Sequence, residues 1–109
     1  MAQGMDPLAA LEARIGYGFA DRKLLTRALT HTSATSNPAD SYQRLEFLGD
    51  RVLALSVAAM AYETYPRAEE GELARRLNAL VKRETCAEIG RRLELGAVMR
   101  LGAGEAQTG

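Results

Sequence analysis

Gln43-Arg44-Leu45-Glu46-Phe47-Leu48-Gly49-Asp50-Arg51-Val52-Leu53 sets two acids within an otherwise apolar helical pattern. On a helix, Glu46 and Asp50 are offset by about 40° around the axis and about 6 Å along it. Like charges at that spacing repel each other. Their face continues as Leu53 and Val57, core residues by type, while Leu45, Leu48, Val52, Leu55 and Ala59 form a second apolar stripe. The pattern predicts that the acids sit where a polar surface turns into a packed interior. A carboxylate pair held there is best stabilised by a shared cation, and oxygen ligands with retained waters suit Mg²⁺ or Mn²⁺. Spacing alone favours a plainer reading, in which two solvated acids lie on an exposed helix edge. Gly49, between them, costs about 1 kcal/mol relative to Ala inside a helix, so a close backbone approach is expected to compensate.

The elements on either side also read as helices. Residues 1–6 look like a disordered start, and Leu8, Leu11 and Ile15 suggest a first short helix ending near Gly16-Tyr17-Gly18. Asp21 is placed to cap a second helix, with Leu24, Leu25, Ala28 and Leu29 on its inner face. TSATSNPADS at 32–41 is small, polar and interrupted by Pro38, which predicts a loop. The central helix is expected over residues 41–64, stopped by Pro66, with Asp40 and Gln43 at capping-box spacing. A fourth helix is expected from Glu70, burying Leu73, Leu77, Leu80 and Val81. Thr85 and Glu88 have capping-box spacing for a fifth, with Cys86, Ile89 and Leu93 inward. No stretch alternates like a strand. The fold class is therefore all-α, with about five helices and no internal repeat.

Composition narrows the functional classes. At 109 residues the chain is one domain at most. With 47% apolar residues it has a core, yet it should bury only somewhat more than about 60% of its unfolded surface. Partner association is a natural supplement to so modest a core. No run approaches the roughly 20 apolar residues that span a bilayer, and the opening lacks a secretory pattern. The single cysteine, Cys86, excludes an internal disulfide and suits a reducing compartment, so a cytoplasmic location is expected. Fourteen basic and 14 acidic residues cancel, which argues against a dedicated nucleic-acid binder but not against an enzyme that receives RNA from an attached module.

QRLEFLGDRVL resembles the signature of the ribonuclease III family, usually ERLEFLGDSVL. The resemblance extends through ALTHTSA at 28–34, YPRAEEGEL at 65–73, LVKRETCA at 80–87, Leu95-Gly96 and LGAGE at 101–105. Several matches in the right order make it specific, and with this context metal ligation overtakes the solvated-acid reading. The resemblance implies the family's helical endonuclease-domain fold over residues 7–109. It also implies Mg²⁺-dependent cleavage of double-stranded RNA to 5′-phosphate and 3′-hydroxyl ends, in ribosomal and messenger RNA processing. In that reading Glu46 and Asp50 bind Mg²⁺ (or Mn²⁺), and Asp50 lies nearest the water that attacks phosphorus. No organic cofactor and no membrane partner are implied.

Other positions carry weaker expectations. Gln43 stands where the family usually has Glu; it offers only a neutral carbonyl, and a helix-start role suits it equally. Glu70 matches a family position supporting RNA or metal binding, against a plainer reading in which Glu69, Glu70 and Glu72 simply favour a helix N-terminus. The resemblance implies that Phe47 packs on a second subunit, giving a two-fold homodimer. Arg75, Arg76, Lys82, Arg83, Arg91 and Arg92 read as solvated helix faces. His31 reads as structural and Cys86 as buried and inert.

In the family, the loop after the matched region leads into a helix with an Asp-x-x-Glu pair that completes the metal site. The chain ends in a glycine-bearing tail at 104–109 without that pair, so the domain reads as incomplete and the 109-residue chain is expected to be inactive alone. The competing function is a non-catalytic helical dimerisation or RNA-scaffold module of the same fold. Gln43 favours it, and retention of Glu46, Asp50 and Glu70 opposes it.

Overall fold

The structure, a computed structural model, describes residues 6–102. Five α-helices follow one another: α1 (Pro7–Ile15), α2 (Arg22–Ala28), α3 (Gln43–Thr64), α4 (Glu70–Val81) and α5 (Arg83–Arg92). Short 3-10 turns occupy Thr32–Ala34, Pro38–Asp40 and Leu95–Ala97. The predicted loop at 32–41 therefore holds two of these turns. The expected tail at 1–6 falls mostly outside the described residues, as do the tail at 104–109 and part of the LGAGE match. Two compact units form, one from the residues up to Glu46 with those from Gly90, the other from Phe47–Ile89.

In the first unit local chemistry sets the helix ends. The Asp6 carboxylate accepts from the Leu8 and Ala9 N–H groups at 2.9 Å, and Pro7, which has no N–H to satisfy, starts α1. Gly16 ends it in the left-handed region at φ 73°, where a Cβ is strained. Asp21 caps α2 through Lys23 N–H, as its sequence position predicts. Leu11, Leu25 and Leu29 are buried, with Leu8, Phe19, Leu93, Leu95, Val98 and Met99 packed around them. Ile15, Leu24 and Ala28, expected inward, are exposed. So small a core draws only on the residues facing its centre.

Long-range hydrogen bonds close this unit. Arg14 Nε donates to Leu93 O at 2.7 Å. A single parallel bridge pairs Thr30 with Arg100: His31 N–H donates to Arg100 O at 2.9 Å and Arg100 N–H to Leu29 O at 2.8 Å. Gly102 N–H donates to Ser33 Oγ at 2.8 Å, and a Cβ there would stand 2.7 Å from Ser33 O, so only glycine fits. His31 is held by local contacts. Its Nδ1 lies 2.7 Å from Ser33 Oγ, and its ring meets Tyr42 edge-on.

The start of α3 differs in detail from expectation. The cap is Ser41, not Asp40: its buried hydroxyl accepts Gln43 N–H at 3.2 Å and donates to Pro38 O at 2.7 Å. Asp40 is the last residue of the preceding 3-10 turn. At the other end α3 stops at Thr64, ahead of Pro66.

In the second unit Ala61 is buried, but much of the apolar surface of α3 is open. Leu48, Val52, Leu53 and Leu55 are 58%, 55%, 41% and 72% exposed. Val57 is half-buried and Ala59 exposed. The expected core face is thus only partly covered. A 22-residue helix is about 33 Å long, and the 12-residue α4 reaches about 18 Å, too short to shield it. On α4, Leu73, Leu77 and Val81 are half-buried and Leu80 is exposed. α5 begins at Arg83, so Thr85 lies inside it and does not cap it; its hydroxyl donates instead to Ala79 O at 2.9 Å. Cys86 is half-buried, its thiol 3.5 Å from Val81 O, and Ile89 is half exposed. Among the described residues no helix is long and apolar enough to cross a membrane.

Candidate functional site

Helix α3 carries the candidate site on its first two turns. Gln43, Glu46 and Asp50 follow one another at i, i+3 and i+7, and therefore share one face. All three are exposed. Phe47 and Leu48 between the acids are exposed as well, so the expected packed interior does not continue along that turn. Glu46 also borders a hollow of about 310 Å³ lined by Ala28, Tyr42, Leu45 and Met99.

No hydrogen bond or ion pair to another described residue engages the carboxylate of Glu46, Asp50 or Glu70. The nearest cation in sequence is committed elsewhere. Arg51 Nη1 donates to Phe47 O at 3.1 Å, and its guanidinium lies 3.9 Å from the centre of the Phe47 ring. The site thus keeps its negative charge uncompensated. Two hard oxygen donors, unpaired and one turn apart, fit a divalent cation that retains much of its water.

Glu70 opens α4 beside Glu69 and Glu72. Glu72 is structural, since it pairs with Arg76 at 3.0 Å, and Arg76 in turn covers the Tyr65 ring at 3.7 Å. Among the described residues no three His, Cys, Asp or Glu side chains converge as a metal cluster. Glu46 and Asp50 are therefore a pair, and Glu70 is not gathered with them. Gly49 has open space where its Cβ would be, so no close approach within the described residues explains it. Phe47 is 63% exposed in the single chain.

Some features of the site escaped sequence reasoning. The Arg51–Phe47 stack was signalled only by their i, i+4 spacing, which an ordinary solvated Arg shares. Lys23, Arg27 and Arg100, which gather around another hollow, gave no local signal, because Arg100 is far from α2 in the chain.

The all-helical fold is that of ribonuclease III nuclease domains, and the chain belongs to the ribonuclease-III-like family: that family's profile matches residues 21–109. The chain is 57% identical over 104 residues to Ribonuclease 3 of Azorhizobium caulinodans, an alignment covering 93% of this chain and 44% of that protein. It is 53% identical over 102 residues to Ribonuclease 3 of Ruegeria pomeroyi, covering 94% and 45%. The chain spans less than half the length of these relatives. The nuclease domain of ribonuclease III from Campylobacter jejuni superposes with a TM-score of 0.86 at 35% identity, over 93% of this chain and 69% of that one. That structure is described as showing flexibility in a region involved in dimer formation.

Proposed function

We propose that this chain provides the nuclease domain of an endoribonuclease that hydrolyses double-stranded RNA with Mg²⁺, leaving 5′-phosphate and 3′-hydroxyl ends in ribosomal and messenger RNA processing in the cytoplasm. The observation that carries the reading is the unpaired, exposed Glu46–Asp50 pair on α3 in a chain of this family. Glu46 and Asp50 hold the ion, which Mn²⁺ can replace, and Asp50 orients the attacking water. A divalent ion there supplies positive charge to the scissile phosphate and acidifies water. Gln43 and Glu70 are auxiliary: Gln43 adds only a neutral carbonyl, and Glu70 supports RNA or metal from the start of α4.

Function as a homodimer follows from the same reading, with Phe47 as a contact between copies. Support comes from its exposure and from the dimer-forming region ascribed to the Campylobacter jejuni structure. Two acids supply few ligands, so the 109-residue chain does not cut RNA alone. One observation favours a second reading, a non-catalytic dimerisation or RNA-scaffold module: no cluster of three metal donors exists among the described residues.

Mg²⁺-dependent cleavage of a labelled RNA duplex separates the two. The expected result is cutting by the longer protein that carries this domain and none by its Asp50→Asn variant. Equal rates for the two would remove the role given to Asp50, and no cutting by either would favour the scaffold.

A further inference from the structure

The first unit also gathers a group of basic side chains. A hollow of about 300 Å³ is bordered by Lys23, Arg27, Arg100, Asp40, Thr30 and Thr35 among others. Lys23 and Arg27 are one turn apart on α2, so both reach the same side of that helix. Arg100 arrives from the far end of the chain. Its backbone is fixed on both sides by the hydrogen bonds to Leu29 O and from His31 N–H, at 2.8 and 2.9 Å.

None of these three cations is engaged by a carboxylate within the described residues; the ion pairs of this unit use Arg14 and Arg22 instead. Asp40 borders the hollow without pairing to any of them, which leaves three positive charges against one negative, a surplus of two. This local excess stands in a chain whose 14 basic and 14 acidic residues cancel overall. Three cations bordering one hollow repel one another, and an anion between them removes that repulsion. The hollow is roomy compared with the roughly 30 Å³ share of a water molecule. Two guanidinium forks and one ammonium suit a tetrahedral oxyanion, because each arginine offers paired N–H donors to two of its oxygens. The Thr35 hydroxyl, whose own contact to Asn37 O is long at 3.4 Å, is a further donor at the rim.

The geometry points to a phosphate-binding site formed by Lys23, Arg27 and Arg100. The phosphate is either a backbone group of RNA or part of a free phosphorylated small molecule. Neither source involves Glu46 or Asp50, so the site stands or falls separately from the nuclease reading.

The test is a titration of the 109-residue chain with inorganic phosphate, followed by amide chemical shifts, beside titrations with a nucleoside monophosphate and a short RNA duplex. Saturable phosphate binding is expected, with shifts concentrated in residues 23–35 and 98–101. Arg27→Gln and Arg100→Gln should each weaken it about tenfold, the loss of one charge-assisted hydrogen-bonded group, while Arg83→Gln on α5 leaves it unchanged. Both site residues are exposed, so the variants keep the fold, and circular dichroism checks this. If duplex affinity falls in the same variants, with a shallower salt dependence, the phosphate is that of RNA. If duplex affinity is unchanged and the nucleotide binds, the ligand is a free phosphorylated molecule. Absence of saturable phosphate binding, or equal weakening by Arg83→Gln, would overturn the site.

Discussion

The guanidinium of Arg51 lies over the ring of Phe47, 3.9 Å from its centre, and is tied there by a 3.1 Å hydrogen bond to the Phe47 carbonyl. One turn of α3 thus removes a cation from its acidic neighbours and places it on an exposed aromatic. An exposed cation–π contact of this kind is worth about 0.5–1 kcal/mol. Urea unfolding of Arg51→Ala, Phe47→Ala and the double variant should show a coupling of that size. No coupling would mean that the stack is not held in solution.

Glu46→Gln and Asp50→Asn should leave the metal-free fold intact and slightly steadier, by about 0.2–0.5 kcal/mol, because repulsion between like charges at i, i+4 is relieved. The same changes should abolish the broadening of amide signals near residues 46–50 by Mn²⁺. Broadening that persists in both variants would move the cation elsewhere.

Gly49 and Gly102 should respond in opposite directions. At Gly49 nothing stands within 4 Å of an added Cβ, so Gly49→Ala should raise the thermal stability of the isolated chain by about 1 kcal/mol through helix propensity. At Gly102 a Cβ would meet Ser33 O at 2.7 Å, and Gly102→Ala should loosen the junction at Ser33 and lower the melting temperature. Calorimetry of both variants checks the contrast.

Leu11→Ala and Leu25→Ala each remove a side chain at the centre of the first unit, 2% and 3% exposed. Each should cost about 2–5 kcal/mol, a large share of the roughly 5–15 kcal/mol that holds a small domain. Denaturant midpoints report the loss, and Leu24→Ala, on an exposed position, should shift them far less.

Acid should weaken α1 first. The Glu12 carboxyl is held below its ordinary 4.5, chiefly because it accepts Phe19 N–H at 2.7 Å and also because it pairs with Arg22. Asp6 is held below its ordinary 3.8, chiefly by the Ala9 N–H, with Arg22 contributing. A depressed folded pKa gives stability that is present above the unfolded value and lost as pH falls through the folded one. Stability should therefore decline from about pH 4.5 downward, and Glu12→Gln should flatten part of that decline in a pH series of unfolding curves.

Five helices, the cap at Asp21, the stop near Gly16, the halt before Pro66 and the placing of Glu46 and Asp50 on one helical turn were readable from residue order, whereas Asp6, read as part of a disordered start, caps α1. Each depends on neighbours within about a turn, where hydrogen-bond geometry and φ preferences act. The capping of α3 by Ser41, the Thr85 bond to Ala79, the exposure of Leu53 and Leu55, and the stacking of Arg51 on Phe47 were not. Periodicity states which residues share a face but not what covers it, and a side chain with several possible partners is committed only when the chain has folded. Nothing local in Lys23, Arg27 or Arg100 announces a shared hollow. Their meeting depends on the Thr30–Arg100 bridge, a contact between residues distant in sequence that no local pattern encodes.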